Sequence, residues 1–194
     1  MISDFETCLS FDDVLIEPTY STIRSRSDTN TSVSVGGLSL QVPLISSPMD
    51  TITGSEMAIE IGKLGGLGIL HRFLSNEDRI SEIDKISKAG VPLSFAVGVS
   101  KSEFHFLSRV MESYGDSVDM VCIDVANGYS VIMSDMVSSI KKSFPKLKIM
   151  AGNIACADGY TFMTELGVDA VRVGIGGGCF TASTKVLMAD GSYS

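Results

Sequence analysis

From Pro43 onward the chain reads as short apolar runs separated by longer amphipathic stretches. The runs are Pro43-Leu44-Ile45-Ser46-Ser47, Gly66-Leu67-Gly68-Ile69-Leu70, Leu93 to Val99, Met120-Val121-Cys122-Ile123-Asp124, Leu147 to Ala151 and Val171 to Gly174. They are short and mostly do not alternate, so they predict strands buried on both faces, as in a parallel sheet. Residues 55–64, 76–88, 101–113, 131–143 and 157–166 carry helical periodicity instead. Asn76 is expected to cap the second of these helices, Ser100 or Ser102 to start the third, and Gly167 to end the last. The strands recur about every 25 residues, the repeat of a βα unit.

Residues 1–43 form a mixed lead-in. Residues 10–18 predict a turn and an extended piece, and residues 31–42 alternate around Gly36-Gly37, which predicts a β-hairpin. The lead-in is expected to pack at one end of the sheet. Two α/β architectures fit, an open doubly wound sheet and a (β/α)₈ barrel. No Gly-x-Gly-x-x-Gly follows the first strand, which weighs against a dinucleotide-binding open sheet. Six βα units are two short of a closed barrel, so on the barrel reading the fold is incomplete.

Composition narrows the function. A chain of 194 residues with 44% hydrophobic and 20% charged residues can bury a substantial core. A net charge of −8 argues against a nucleic-acid surface. No apolar run is long enough for a membrane span, and the acidic start lacks a signal-peptide pattern, so a cytoplasmic location without membrane attachment is expected. Cys8, Cys122, Cys156 and Cys179 share no metal-ligand spacing. Three of them read as buried free thiols.

Polar or glycine residues close most strands: Ser46-Ser47, His71-Arg72, Asp124, Gly152-Asn153 and Gly174. In parallel α/β folds those ends carry the site. The last strand runs into Gly174-Ile175-Gly176-Gly177-Gly178, and Cys179 follows at once. Such a loop can wrap its backbone around a phosphate or a cation, and the adjacent thiol is a candidate nucleophile. On the residues alone, Asp124 fits a turn cap as well as a site carboxylate, and Gly152-Asn153 reads as a turn pair. Met49 reads as core, His71 as a possible site residue and His105 as surface or packing.

Six stretches in order resemble the IMP dehydrogenase and GMP reductase family. They are Ser10-Phe11-Asp12-Asp13-Val14-Leu15, Ser47-Pro48-Met49-Asp50-Thr51, Gly65-Gly66-Leu67-Gly68-Ile69-Leu70-His71-Arg72, Asp124-Val125-Ala126-Asn127-Gly128-Tyr129-Ser130, Ala151-Gly152-Asn153 and Val173-Gly174-Ile175-Gly176-Gly177-Gly178. The resemblance implies a (β/α)₈ barrel, a homotetramer when complete, acting on a purine nucleotide (GMP or IMP). It implies NADPH, or NAD in a dehydrogenase, as cofactor, and a potassium ion. On it, Ser47, Met49, Asn153, Arg172 and Gly174 match substrate-binding positions. Asp124, Val125, Ala126, Asn153, Gly174, Ile175 and Gly176 match cofactor-binding positions. The carbonyls of Gly176 and Gly178 match potassium ligands.

The short Lys88-Ala89-Gly90-Val91-Pro92 connection stands where dehydrogenases usually carry regulatory domains. With Asp124 to Ser130 and Ile149 to Asn153, it resembles a GMP reductase, converting GMP and NADPH to IMP and ammonia. Ser46 to Asp50 and Arg172 resemble an IMP dehydrogenase without those domains. A non-catalytic nucleotide-binding or assembly module is a third possibility.

The resemblance breaks at Cys179. The family loop continues Gly-Ser-x-Cys-x-Thr, whereas here Gly178 is followed by Cys179-Phe180-Thr181. One reading makes this the family's Cys-x-Thr with two residues lost. The other ends the family sequence at Gly178 and opens an intein at Cys179. Cys179-Phe180, an alternating strand through Thr184 and Val186, and Asp190-Gly191 as a hairpin turn resemble an intein's first block. The expected organisation is then 1–178, the N-terminal part of the barrel, and 179–194, the start of an intein, truncated or atypically split. Cys179 would be the splicing nucleophile and the redox cysteine would lie outside the chain. The partner would be a complementary C-terminal intein and extein fragment, and the chain alone would be inactive.

Overall fold

The computed structural model describes residues 8–9, 14–174 and 180–181. A first strand, β1 (Cys8–Leu9), pairs antiparallel with residues 180–181 far along the chain. Residues 14–32 run mostly without regular structure and lie exposed; Leu15 and Ile16 are 97% and 98% accessible. The expectation that the whole lead-in packs on the sheet therefore holds only for its last part. There β2 (Val33–Val35) and β3 (Leu38–Leu40) form the expected antiparallel hairpin. Gly36 and Gly37 make its turn with φ of 54° and 76°, a pair of left-handed conformations that suits a two-residue hairpin loop.

The rest alternates strand and helix: β4 (Ile45–Ser46), α1 (Ser55–Lys63), β5 (Leu67–Leu70), α2 (Asn76–Lys88), β6 (Leu93–Val97), α3 (Lys101–Tyr114), β7 (Val118–Asp124), α4 (Val131–Ser143), β8 (Ile149–Ile154), α5 (Ala157–Glu165), β9 (Ala170–Val173). A last short strand is β10 (Phe180–Thr181). The helix boundaries lie within a residue or so of those expected. The cap of α2 is Ser75 rather than Asn76: its hydroxyl accepts the Asp78 N–H at 3.1 Å, and Asn76 is the first helical residue. Strand β8 is longer than expected. Gly152 and Asn153 lie within it, because Asn153 N–H pairs with the Val125 carbonyl at 2.7 Å instead of closing a turn.

Strands β4 to β9 form one curled parallel sheet whose spatial order is the order of the chain. A doubly wound sheet reverses direction from its first strand, and this one does not. The core decides the same point. Outward residues Phe95, Val97, Val121, Ile123 and Ile149 share one buried cluster with residues of all five helices, among them Ile83, Phe106, Val137 and Met163. Inward residues Leu67, Ile69, Ala96, Met120, Cys122 and Met150 form a separate cluster, met by Val35, Leu38 and Leu40 of the hairpin. Helices thus cover the convex face alone, and the hairpin plugs one end of the concave face. This is a half-barrel, an incomplete form of the (β/α)₈ barrel.

The amphipathic helices are held mainly by burial. Ile83 and Ile86 of α2 are fully buried, and each such side chain contributes about 1.5–3 kcal/mol. Between α2 and α3 lies an ion pair that the sequence pattern did not reveal. Arg79, 2% accessible, donates to both Glu103 carboxylate oxygens at 2.9 and 3.2 Å and to the Ala96 carbonyl at 2.7 Å. Its guanidinium lies 3.6 Å from the centre of the Phe106 ring. Glu103 also accepts the Gly98 N–H at 2.9 Å, so the pair ties both helices to the end of β6.

Candidate active site

The strand ends converge at the C-terminal side of the sheet. Asp124 of β7, Gly152 of β8 and Arg172 of β9 stand in register across three adjacent strands. The middle residue has no side chain, and this opens a path over β8. Arg172 Nη1 crosses it to form an ion pair with Asp124 Oδ1. Both partners are about four-fifths buried, which strengthens the attraction relative to a surface pair. The same Nη1 lies 4.0 Å from Cys122 Sγ. Burial pushes the Cys122 thiol up to about 12, with Arg172 pulling weakly the other way. At neutral pH it is a protonated wall of the site and not a nucleophile.

Asn153 is fixed by its neighbours. Its backbone N–H donates to Val125 O and its carbonyl accepts from Gly128 N, both at 2.7 Å. Its Nδ2 donates to the Gly174 carbonyl at 2.7 Å. The remaining atom, Oδ1, is buried with no partner among the described residues. The turn after β7 folds back over this point, because Asn127-Gly128 has to bring a backbone N–H onto Asn153. Val125 N–H in turn pairs with Gly152 O at 3.0 Å.

Ser47 comes from the opposite edge of the sheet. With Ile45, Ile69, Met150 and Arg172 it lines a cavity of about 180 Å³ on the concave face. Its carbonyl accepts from the Thr53 hydroxyl at 2.5 Å and from Met49 N–H at 2.8 Å, which shapes the turn leaving β4. Met49 is 48% accessible and not a core residue. Ser47, Asp124, Val125, Asn153, Arg172 and Gly174 are therefore brought together at one end of the half-barrel. Ala126 is exposed on the rim. Ile175, Gly176, Gly178 and Cys179 lie outside the described residues. On the helix-covered side, a groove of about 510 Å³ runs between α3 and α4, with Phe104, Ile132 and Met136 in its wall.

His71 is buried, and its Nδ1 accepts the Phe73 N–H at 3.2 Å, which makes it a loop-holding residue. His105 is exposed on α3. Among the described residues no group of three or more His, Cys, Asp or Glu side chains could hold a metal. No helix among them is long and apolar enough to cross a membrane. The sequence pattern does not show that Arg172 and Asp124 neutralise one another. The signal available was two opposite charges, each ending an apolar strand of one sheet.

A family model described as "IMP dehydrogenase / GMP reductase domain" matches residues 8–192. The chain belongs to the IMP dehydrogenase / GMP reductase family. Among its relatives, a protein named GMP reductase from Clostridium acetobutylicum is 33% identical over 209 residues, covering 96% of this chain and 63% of the relative. One of the same name from Bacillus subtilis is 32% identical, covering 96% and 64%. Another from Staphylococcus epidermidis is 34% identical, covering 88% and 53%. The chain spans between about half and just under two thirds of the length of these relatives.

Proposed function

We propose that this chain is the N-terminal part of a GMP reductase, acting in its complete form on GMP to give IMP and ammonia. The likeness to proteins named GMP reductase, sustained over 88–96% of the chain, carries the reading. The four-residue link from α2 to β6 also supports it, since it leaves no room for regulatory domains. The alternative is IMP dehydrogenase, converting IMP and NAD to XMP.

The residues fit a nicotinamide cofactor. Asn153 Oδ1 is a buried acceptor without a partner among the described residues, of the kind a carboxamide N–H satisfies. NADPH, when bound, supplies the hydride. Asp124, Val125, Ala126, Asn153 and Gly174, with Ile175 and Gly176, would hold it. Ser47, Met49, Asn153 and Gly174 would hold the purine nucleotide. Arg172 would hold the Asp124 carboxylate in place. Potassium on the Gly176 and Gly178 carbonyls, a homotetramer and a cytoplasmic location complete the reading.

We further propose that residues 1–178 are the barrel part and that an intein begins at Cys179. Its thiolate would attack the Gly178 carbonyl, exchanging the amide for a thioester and freeing the Cys179 amine. That shift is uphill for an unstrained amide and needs an oxyanion stabiliser and a proton donor. These would come from the complementary piece, so the chain alone would neither splice nor reduce GMP. Mass spectrometry of the chain mixed with that piece tests this. A ligated product without residues 179–194, abolished by Cys179→Ala, is expected. Assay of the product with GMP and NADPH, then with IMP and NAD, by absorbance of the reduced cofactor, separates reductase from dehydrogenase.

Two observations favour the other reading, in which Cys179 is the redox nucleophile itself. The family match continues past Cys179 to residue 192, and β10, directly after Cys179, pairs with β1. Turnover of GMP by a chain that keeps residues 179–194 would decide for it.

A further inference from the structure

Three arginines are wholly or partly buried among the described residues: Arg72, Arg79 and Arg172. Arg172 is paired with Asp124, and Arg79 with Glu103. Arg72 forms no ion pair with a described residue. Its Nε is buried and has no hydrogen-bond partner among them. The fold nevertheless holds this cation in place. Its guanidinium carbon lies 4.8 Å from the centre of the Phe73 ring. A Cβ on Gly98 would stand 3.6 Å from Arg72 Nη1, so the side chain reaches the end of β6. Glu103 gives both its oxygens to Arg79 there. Burial lowers the pKa of Arg79, and repulsion from the nearby Arg72 charge lowers it further. Backbone bonds tie Arg72 to the site as well. The His71 N–H donates to the Thr53 carbonyl at 3.2 Å, and the Thr53 hydroxyl donates to the Ser47 carbonyl at 2.5 Å. Arg72 is thus anchored beside the turn that carries Ser47 and Met49, at the C-terminal end of the sheet where Asp124 and Asn153 stand.

A cation taken out of water is costly unless an opposite charge meets it. Arg79 and Arg172 meet theirs within the chain, and Arg72 does not. We propose that Arg72 binds a phosphate group of the ligand that occupies this site. The proposal rests on the nucleotide reading of the site and deepens it. The planar guanidinium fork matches two phosphate oxygens, and an oxygen placed at Nε also satisfies the orphaned N–H. Stacking on Phe73 fixes the plane of the fork before the ligand arrives. Two sources carry this chemistry: the 5′-phosphate of the purine nucleotide and the diphosphate of the nicotinamide cofactor.

Isothermal titration calorimetry on the full chain, wild type and Arg72→Met, tests this. The probes are GMP with guanosine, NADPH with reduced nicotinamide riboside, and inorganic pyrophosphate. Arg72→Met should weaken pyrophosphate and either GMP or NADPH at least about tenfold, the loss expected for a charged hydrogen bond. Guanosine and the riboside, which carry no phosphate, should bind both proteins alike. Whichever of GMP and NADPH responds names the source. Arg72→Lys should recover part of the affinity, because it keeps the charge without the fork. Arg72→Gln serves for the same comparison if Arg72→Met does not fold. Equal affinity of wild type and variant for every phosphate probe overturns the proposal, and so does a wild-type chain that binds none of them. An equal loss of the phosphate-free probes also overturns it, since that would make Arg72 a structural residue. Arg72-dependent binding of pyrophosphate without binding of GMP or NADPH would uphold the phosphate site and sink the nucleotide reading. Binding of GMP and NADPH that ignores Arg72 would do the reverse.

Discussion

Arg172 reaches Asp124 only because the residue between them is Gly152. A Cβ on Gly152 would lie 2.6 Å from the Arg172 Cβ and 2.7 Å from the Arg172 carbonyl oxygen. The second contact is with backbone, which cannot swing aside. Gly152→Ala should therefore push β8 from β9 and destabilise the fold by about 1–3 kcal/mol, the usual range for overpacking. Urea unfolding checks it. An unchanged midpoint would mean that the strands separate freely and that the Arg172 path does not depend on this glycine.

Arg79 should be among the most sensitive positions outside the site. Arg79→Met leaves Glu103 facing only the Gly98 N–H. Breaking such a pair from one side costs about 3–5 kcal/mol. Removing both charges, as Arg79→Met with Glu103→Leu, should cost less than the single change, because no orphaned carboxylate remains. A double-mutant cycle by chemical denaturation measures this. A loss under about 1 kcal/mol for Arg79→Met would show that water reaches the pair.

Acid should weaken the join between α1 and α2. The Glu82 carboxyl resists burial, which alone would raise its pKa. Hydrogen bonds from Lys85 and from the Ser55 hydroxyl and backbone N–H outweigh that and hold it at about 2, below the ordinary 4.5. A depressed folded-state value lends stability that is complete above the unfolded pKa and fades as pH falls from 4.5 toward 2. Glu82→Gln should flatten that part of the profile of urea midpoint against pH. A variant with an unchanged slope would place the acid sensitivity elsewhere.

Cys122 and Cys156 should differ in reactivity. Cys156 is exposed and Cys122 fully buried. Iodoacetamide at pH 8 followed by peptide mass spectrometry should label Cys156 and leave Cys122 unmodified until denaturant is added. Early labelling of Cys122 would mean that the concave face opens in solution.

The apolar pattern sets the elements, and the ordered motifs carry most of the likeness to the family. Unbroken apolar runs at βα spacing can be satisfied only by strands covered on both faces, and alternation around Gly36-Gly37 only by a hairpin. The six ordered motifs, from Ser10 to Gly178, contain nearly all the residues that gather at the strand ends. Pattern could not say whether helices lie on one face or two, because a strand buried on both sides looks the same in either arrangement. Only the in-order pairing of β4 to β9 and the two separate cores decided that. Nor could local propensity see that Gly152-Asn153 continues a strand: the turn preference of that pair yields to the bond from Asn153 to Val125. The Arg172–Asp124 and Arg79–Glu103 pairs join residues 48 and 24 positions apart. Their partners are chosen by strand register and helix packing, which exist only once the chain has folded.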